Sequence, residues 1–236
     1  MKVNITSYLI VIMFHFSLVS CSWLDNYTIN EGLNPDEIIN FESISPISSP
    51  ADSSSKILVR ETIYSNSDSA HFVSLSTTSG VINGKSKNEK MQVNLERYAD
   101  FILTTGQVPG PVLLHTSVLG QYSADTVIYY SISYPDTILI IPNSYSIDKN
   151  TVLNLNINLV KNMGYASKGL TLILSAQDSV GNELGNFITT QTYSPGAPVV
   201  ATFTGTNDFT GHVTLKAFIK EEEEIMAQGM TTILLK

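Results

Sequence analysis

Leu153-Asn154-Leu155-Asn156-Ile157-Asn158-Leu159 alternates between aliphatic residues and asparagine without a break. Successive side chains of an extended strand point to opposite faces, so this stretch carries one apolar and one polar face, the mark of a half-buried β-strand. Leu170, Leu172, Leu174 and Ala176 repeat the pattern, and so do Val213, Leu215, Ala217 and Ile219. No segment after Cys21 holds the helical period over a long amphipathic stretch. Further short runs rich in β-branched and aromatic residues fall at 56–63, 71–76, 99–104, 111–119 and 126–134. A second set follows at 138–141, 152–160, 170–178, 199–204, 213–219 and 230–235. Turn chemistry such as Ser79-Gly80, Asn83-Gly84 and Pro109-Gly110 separates them. Short alternating strands with close turns predict an all-β chain of two tandem β-sandwiches, each of about 90–100 residues. Tyr134-Pro135-Asp136 is the expected boundary, giving modules at 51–134 and 135–236.

Charged residues make up 14% of the chain and hydrophobic ones 43%. That balance excludes disorder throughout, which needs high charge and few apolar residues. A net charge of −8 would repel phosphate, which excludes a nucleic-acid partner of the basic-patch kind. A single cysteine allows neither a disulfide framework nor a thiolate cluster for zinc or iron–sulfur.

The N-terminus supplies an address. Lys2 is the only charge before Asp25, and an apolar run from Tyr8 to Phe16 follows it. A positive start, about a dozen apolar residues and a small residue before the cut describe a secretory signal peptide at 1–20. The run is shorter than the ~20 residues of a membrane span. Leu18-Val19-Ser20-Cys21 resembles the bacterial lipobox, which implies cleavage between Ser20 and Cys21 and lipidation of the Cys21 sulfur. The membrane partner is then reached through an N-terminal lipid, and stable attachment takes more than one acyl chain. Ser22 stands where many inner-membrane lipoproteins carry aspartate, which by resemblance favours the outer membrane. Cleavage removes Lys2 and takes the net charge from −8 to −9. Residues 21–50 then read as a lipidated flexible tether with a reach of roughly 30 Å. Ile38-Ile39-Asn40-Phe41 also reads as an early strand.

Three stretches of the first module resemble the immunoglobulin-like (Ig-like) domains of invasin- and intimin-type bacterial adhesins. Ala51-Asp52-Ser53-Ser54-Ser55-Lys56-Ile57 resembles the approach to that family's second strand. Phe72-Val73-Ser74-Leu75-Ser76-Thr77-Thr78-Ser79-Gly80 resembles its central strand and following turn. Leu103-Thr104-Thr105-Gly106-Gln107-Val108-Pro109-Gly110 resembles the corner between its fifth and sixth strands. The second module shares only the general rhythm. Two residues depart from the family pattern: Arg97 stands at the matching position of a turn glycine, and Glu61 falls in register with Ile57, Val59 and Ile63. A buried, unpaired carboxylate is costly, so a register slip or a place at the sandwich rim is expected for Glu61.

Chemistry is sparse. His71, His115 and His212 are the histidines beyond the signal peptide, and their spacing forms no metal or catalytic motif. No nucleophile elbow or phosphate-cradling glycine loop exists. No catalytic residue, metal site or cofactor is therefore expected. Asp178-Ser179-Val180-Gly181-Asn182-Glu183 has the residue types of both a calcium loop and an ordinary turn. Asp68-Ser69-Ala70, Asp125-Thr126-Val127, Asp136-Thr137-Ile138 and Asp178-Ser179-Val180 resemble a short O-glycosylation signal of some Gram-negative envelope proteins. Glu221-Glu222-Glu223-Glu224 falls between two strands, hence at a hairpin tip.

The reading is a lipid-anchored, non-enzymatic envelope protein whose Ig-like modules serve as a binding surface or spacer in adhesion or envelope assembly. Its partner is an unidentified protein or glycan. The contact surface is expected at distal loops around Asn207 and Asp208 and at Glu221, Glu222, Glu223 and Glu224. Two alternatives stand beside it. One is a glycan-binding module of a saccharide-uptake system, with Tyr129, Tyr130, Tyr134 and Tyr145 as a row of aromatics. The other is a periplasm-facing accessory subunit of an envelope complex.

Overall fold

The computed structural model describes residues 38–64, 71–118, 120, 122–189, 193–206 and 208–236. Ser20, Cys21, the first part of the expected tether, Asp68-Ser69-Ala70 and Asn207 lie outside the described residues. The chain folds as two β-sandwiches in sequence.

In the first sandwich one sheet has the order β1-β3-β7-β5, with β1 at Ile39–Ser45, β3 at Lys56–Ile63, β7 at Tyr98–Thr104 and β5 at Val81–Ile82. The facing sheet is β2-β9-β8-β4-β6, with β2 at Ser48–Pro50, β9 at Tyr122–Ser131, β8 at Gly110–Val118, β4 at Phe72–Thr77 and β6 at Asn88–Gln92. In the second, β10 (Thr137–Pro142), β12 (Val152–Val160), β15 (Val199–Thr204) and β14 (Asn186–Thr189) form one sheet in that order. The other runs β11 (Ser146–Ile147), β17 (Glu224–Leu235), β16 (Gly211–Glu221) and β13 (Ile173–Gln177). Each sandwich begins with the same manoeuvre. The chain pairs antiparallel in one sheet (β1 with β3, β10 with β12), then crosses to run parallel to the last strand of the other (β2 with β9, β11 with β17).

Alternation becomes burial as the side-chain period requires. Leu153, Leu155 and Ile157 are at most 1% exposed, while Asn154 and Asn156 face solvent. Two separate apolar cores result. The first is built around Ile57, Leu75, Phe101, Leu103 and Leu114, the second around Leu153, Phe203, Val213 and Leu215. Each fully buried side chain of this size contributes roughly 1.5–3 kcal/mol.

The structure departs from the sequence reading in three places. Residues 39–45 and 48–50, expected within the tether, are strands of the first sandwich, because Ile39 and Ala51 close its core. The strand expected from Leu170 begins at Ile173, with Leu170 and Leu172 packed against the core from the preceding loop. Glu61 does not sit at the rim: it keeps the inward alternation of Val59 and Ile63 at 0% exposure, and the register shift falls on its β1 partner, between Phe41 and Ser43. Thr116 of the facing sheet makes this tolerable, its hydroxyl donating to Glu61 Oε2 at 2.6 Å. Arg97 takes over the backbone shape of the glycine it stands in for, with φ of 68°, its amide donating to the Asn94 carbonyl.

Candidate functional site

A polar construction lies where the two sandwiches meet, and the long connection between β12 and β13 builds half of it. Connections of about 4–6 residues are usual, so this one, spanning 161–172, is long enough to do more than turn the chain. From it the Tyr165 amide donates to the Asp52 carbonyl at 2.8 Å, and the Lys168 amide donates to the Gln107 carbonyl at 2.8 Å. Ser167, at 0% exposure, is bound on three sides. Its amide donates to the Ser133 carbonyl, its hydroxyl donates to the Ala51 carbonyl at 3.0 Å, and the same oxygen accepts from the Ser133 amide at 2.8 Å. Gly164 makes the approach feasible. It sits at φ +70°, and a Cβ there would lie 2.3 Å from the Asp52 carbonyl oxygen.

The first sandwich supplies a matching base. Asp52 accepts from the amides of Ser54 and Ser55 at 2.8 and 2.7 Å, from the Ser55 hydroxyl at 2.8 Å and from the Thr105 hydroxyl at 3.2 Å. Burial pushes its carboxyl up, but the donors of Ser55 and Ser54 outweigh burial and hold it below the ordinary value. Gly80 and Gly106 complete the base. A Cβ on Gly80 would meet the Thr104 carbonyl at 2.3 Å, and one on Gly106 would meet the Ser79 hydroxyl at 2.2 Å. The three stretches that carry the family resemblance therefore converge on this end of the first sandwich. The Tyr130 hydroxyl joins them by donating to the Ser79 carbonyl at 3.1 Å, and burial pushes its phenol up to about 12. An open groove of about 350 Å³ runs alongside, lined by Asp52, Ser54, Ser55, Asp136, Lys161, Asn162 and Met163.

The residues expected as one contact surface are split between opposite ends of the second sandwich. Val152 pairs with Thr204, and Thr137 pairs with Val160, so the loop containing Asp208 lies at the end away from the junction. Gly211 starts β16 at that far end, and the β16–β17 hairpin returns its tip to the junction. The Glu221–Glu224 pair closes the hairpin, with Glu222 and Glu223 as its two-residue turn and all four side chains exposed. Burial, and then the nearby Glu221 carboxylate, push the Tyr134 phenol up to about 12, which places the acidic tip beside the linker. A tip of four glutamates was legible in the sequence, but which end it occupies depends on strand direction.

Other candidates take ordinary places. His115 and Asp125 form an exposed pair at 2.6 Å on the outer face of β8 and β9, and His212 is exposed. His71 is buried. Among the described residues no group of three His, Cys, Asp or Glu side chains is arranged to hold a metal. Asp178 is occupied by its own turn, accepting from the amides of Val180 and Asn182 and from the Asn182 side chain. The tyrosines do not form a row. Tyr130 is in the core, and the exposed Tyr129 and Tyr145 belong to different sandwiches. Of the O-glycosylation triplets, Thr126 is paired within β9, Thr137 opens β10, and Ser179 stands in an exposed turn.

The sequence signals strands but carries no motif for Gly164, Ser133 or Ser167. The length of the 161–172 connection was the available clue.

No family model matches the chain, and no curated protein matches its sequence. Solved structures match its fold. Invasin, a bacterial integrin-binding protein, superposes with a TM-score of 0.58 at 14% identity over 84% of this chain and 39% of its own. The Yersinia pseudotuberculosis adhesin InvE gives 0.57 at 14% identity over 86% of this chain and 60% of its own. The chain thus spans about two fifths and three fifths of those two proteins. At this identity the likeness is one of fold: the chain is built as the tandem Ig-like β-sandwiches found in bacterial adhesins of the invasin type.

Proposed function

We propose that this chain is a lipid-anchored, non-enzymatic envelope protein that holds two Ig-like modules as one stiff unit, serving as a binding surface or spacer in adhesion. The observation that carries the reading is the junction. A flexible string of domains needs no buried hydrogen bonds between its units, whereas Ser167, Ser133, Tyr165 and Lys168 tie one sandwich to the other. The lipobox-like Leu18-Val19-Ser20-Cys21 supports attachment through Cys21. Fold alone does not name a partner, and the adhesion element rests on the likeness to adhesin domains. The glycan-binding alternative would call on Tyr129 and Tyr145, which are exposed on different sandwiches.

Protease shaving of intact cells carrying an epitope-tagged copy tests the reading, with Cys21→Ala as the anchoring control. Loss of the tag from intact cells, and release of Cys21→Ala from membranes, are the expected results. A tag that survives until the outer membrane is permeabilised contradicts adhesion and favours a periplasm-facing subunit. Retention of Cys21→Ala on membranes contradicts the lipid anchor.

A further inference from the structure

Among the described residues two buried acids stand outside any salt bridge, Asp52 and Glu61; Asp52 is supplied by the donors of Ser54, Ser55 and Thr105, and Glu61 has no such set. It is fully buried in β3, with Ala99 of β7 opposite it on one side and Phe41 of β1 on the other. Its Oε2 accepts the Thr116 hydroxyl from β8 of the facing sheet, so the pair spans the sandwich. Among the described residues its Oε1 has no hydrogen-bond partner. A neutral carboxyl tolerates that arrangement, whereas a carboxylate has a bare oxygen in an apolar interior and one hydroxyl to solvate it.

Charges on the surrounding elements do not rescue the ionised form. On β3 and β7, Arg60 and Asp100 pair with each other at 2.7 and 2.8 Å on the outer face. Glu42 on β1 is exposed, and His115 and Asp125 on β8 and β9 pair on the opposite outer face. His71 just before β4, with Tyr122 and Tyr130 of β9, are the titratable groups that pack toward this core from the facing sheet. Burial pushes the Glu61 carboxyl up to about 8, with the Thr116 hydroxyl pulling the other way.

We propose that Glu61 and Thr116 form a proton-dependent latch across the first sandwich, closed while Glu61 is neutral and opened as it ionises. The yielding element is β1. It is the edge strand beside Glu61, and its pairing with β3 is already broken in register between Phe41 and Ser43. Peeling β1 brings water to the bare oxygen and transfers seven residues to the segment that leads toward the N-terminus.

The sign follows from linkage. The unfolded chain releases this proton near the ordinary glutamate value of about 4.5, and the folded chain holds it until about 8. The latch stabilises fully below the lower value, weakens across that window, and reaches its floor above the upper one.

The test compares full-length mature protein with Glu61→Gln by thermal unfolding from pH 5 to pH 9, alongside a carbon-13 NMR titration of the wild-type Glu61 carboxyl. Expected are a midpoint well above the ordinary glutamate range and a wild-type Tm that falls relative to Glu61→Gln by about 5 °C or more. Hydrogen exchange, corrected for its intrinsic pH dependence, should quicken in β1 and β3 while β12 and β16 stay protected. A Glu61 midpoint near 4.5 overturns the proposal whether or not the variant folds. Parallel Tm profiles, or equal loss of protection in both sandwiches, also overturn it.

Discussion

The two sandwiches share a strand plan, down to the opening strand that changes sheets, yet their interiors differ. Buried polar side chains of the first include Asp52, Glu61, His71, Thr77, Thr105 and Thr116. Among the described residues of the second, the buried polar residue is Ser167, and it belongs to the junction. The second sandwich therefore rests on apolar packing and its ladders. The first adds specific polar ties, and these give it a recognisable sequence. Motifs such as Ala51-Asp52-Ser53-Ser54-Ser55 are visible because hydrogen-bonded corners demand particular residues. An apolar core accepts many combinations of similar volume and leaves only a rhythm.

The largest expected effect probes the second interior. Phe203 is fully buried and lies against Phe187 with ring centroids 5.1 Å apart. Phe203→Ala should cost about 3–5 kcal/mol in denaturant unfolding. Because the two cores are separate clusters, the first sandwich should keep its own transition. Equal destabilisation of both would show that the interiors are one cooperative unit.

A smaller loss probes what joins them. Gly164→Val forces a branched residue into a left-handed conformation against the Asp52 carbonyl and should cost about 1–3 kcal/mol. The expected sign of a failed junction is a wider gap between the unfolding transitions of the two sandwiches.

The smallest effect is a gain within the first sandwich. A non-glycine residue in the left-handed region loses roughly 1–2 kcal/mol, offset in part by the backbone entropy of glycine. Arg97→Gly should therefore raise the first sandwich's stability by about 0.5–1 kcal/mol and leave the second unchanged, read by denaturant midpoints.

Periodicity carried the strands with strong alternation. Leu153 to Leu159 and Val213 to Ile219 lie in β12 and β16 with the expected faces inward. It could not reveal β5 and β6, because Val81-Ile82 is too short for a pattern and Asn88–Gln92 is mostly polar. Glu61 looked misplaced because its partner, Thr116, is 55 residues away. Residues 39–50 look like tether until β3 and β9 supply partners for them. The junction was hidden for a related reason. Ser133 and Ser167 are unremarkable alone and acquire meaning only when each meets the other's backbone.

Amide nitrogen-15 relaxation of the mature protein in solution tests the central claim, that the two sandwiches act as one stiff unit. A single rotational diffusion tensor should fit β3, β7 and β8 together with β12, β15 and β16. Separate and shorter correlation times for the two sets would contradict it, and the proposed role as a stiff unit would fall with it.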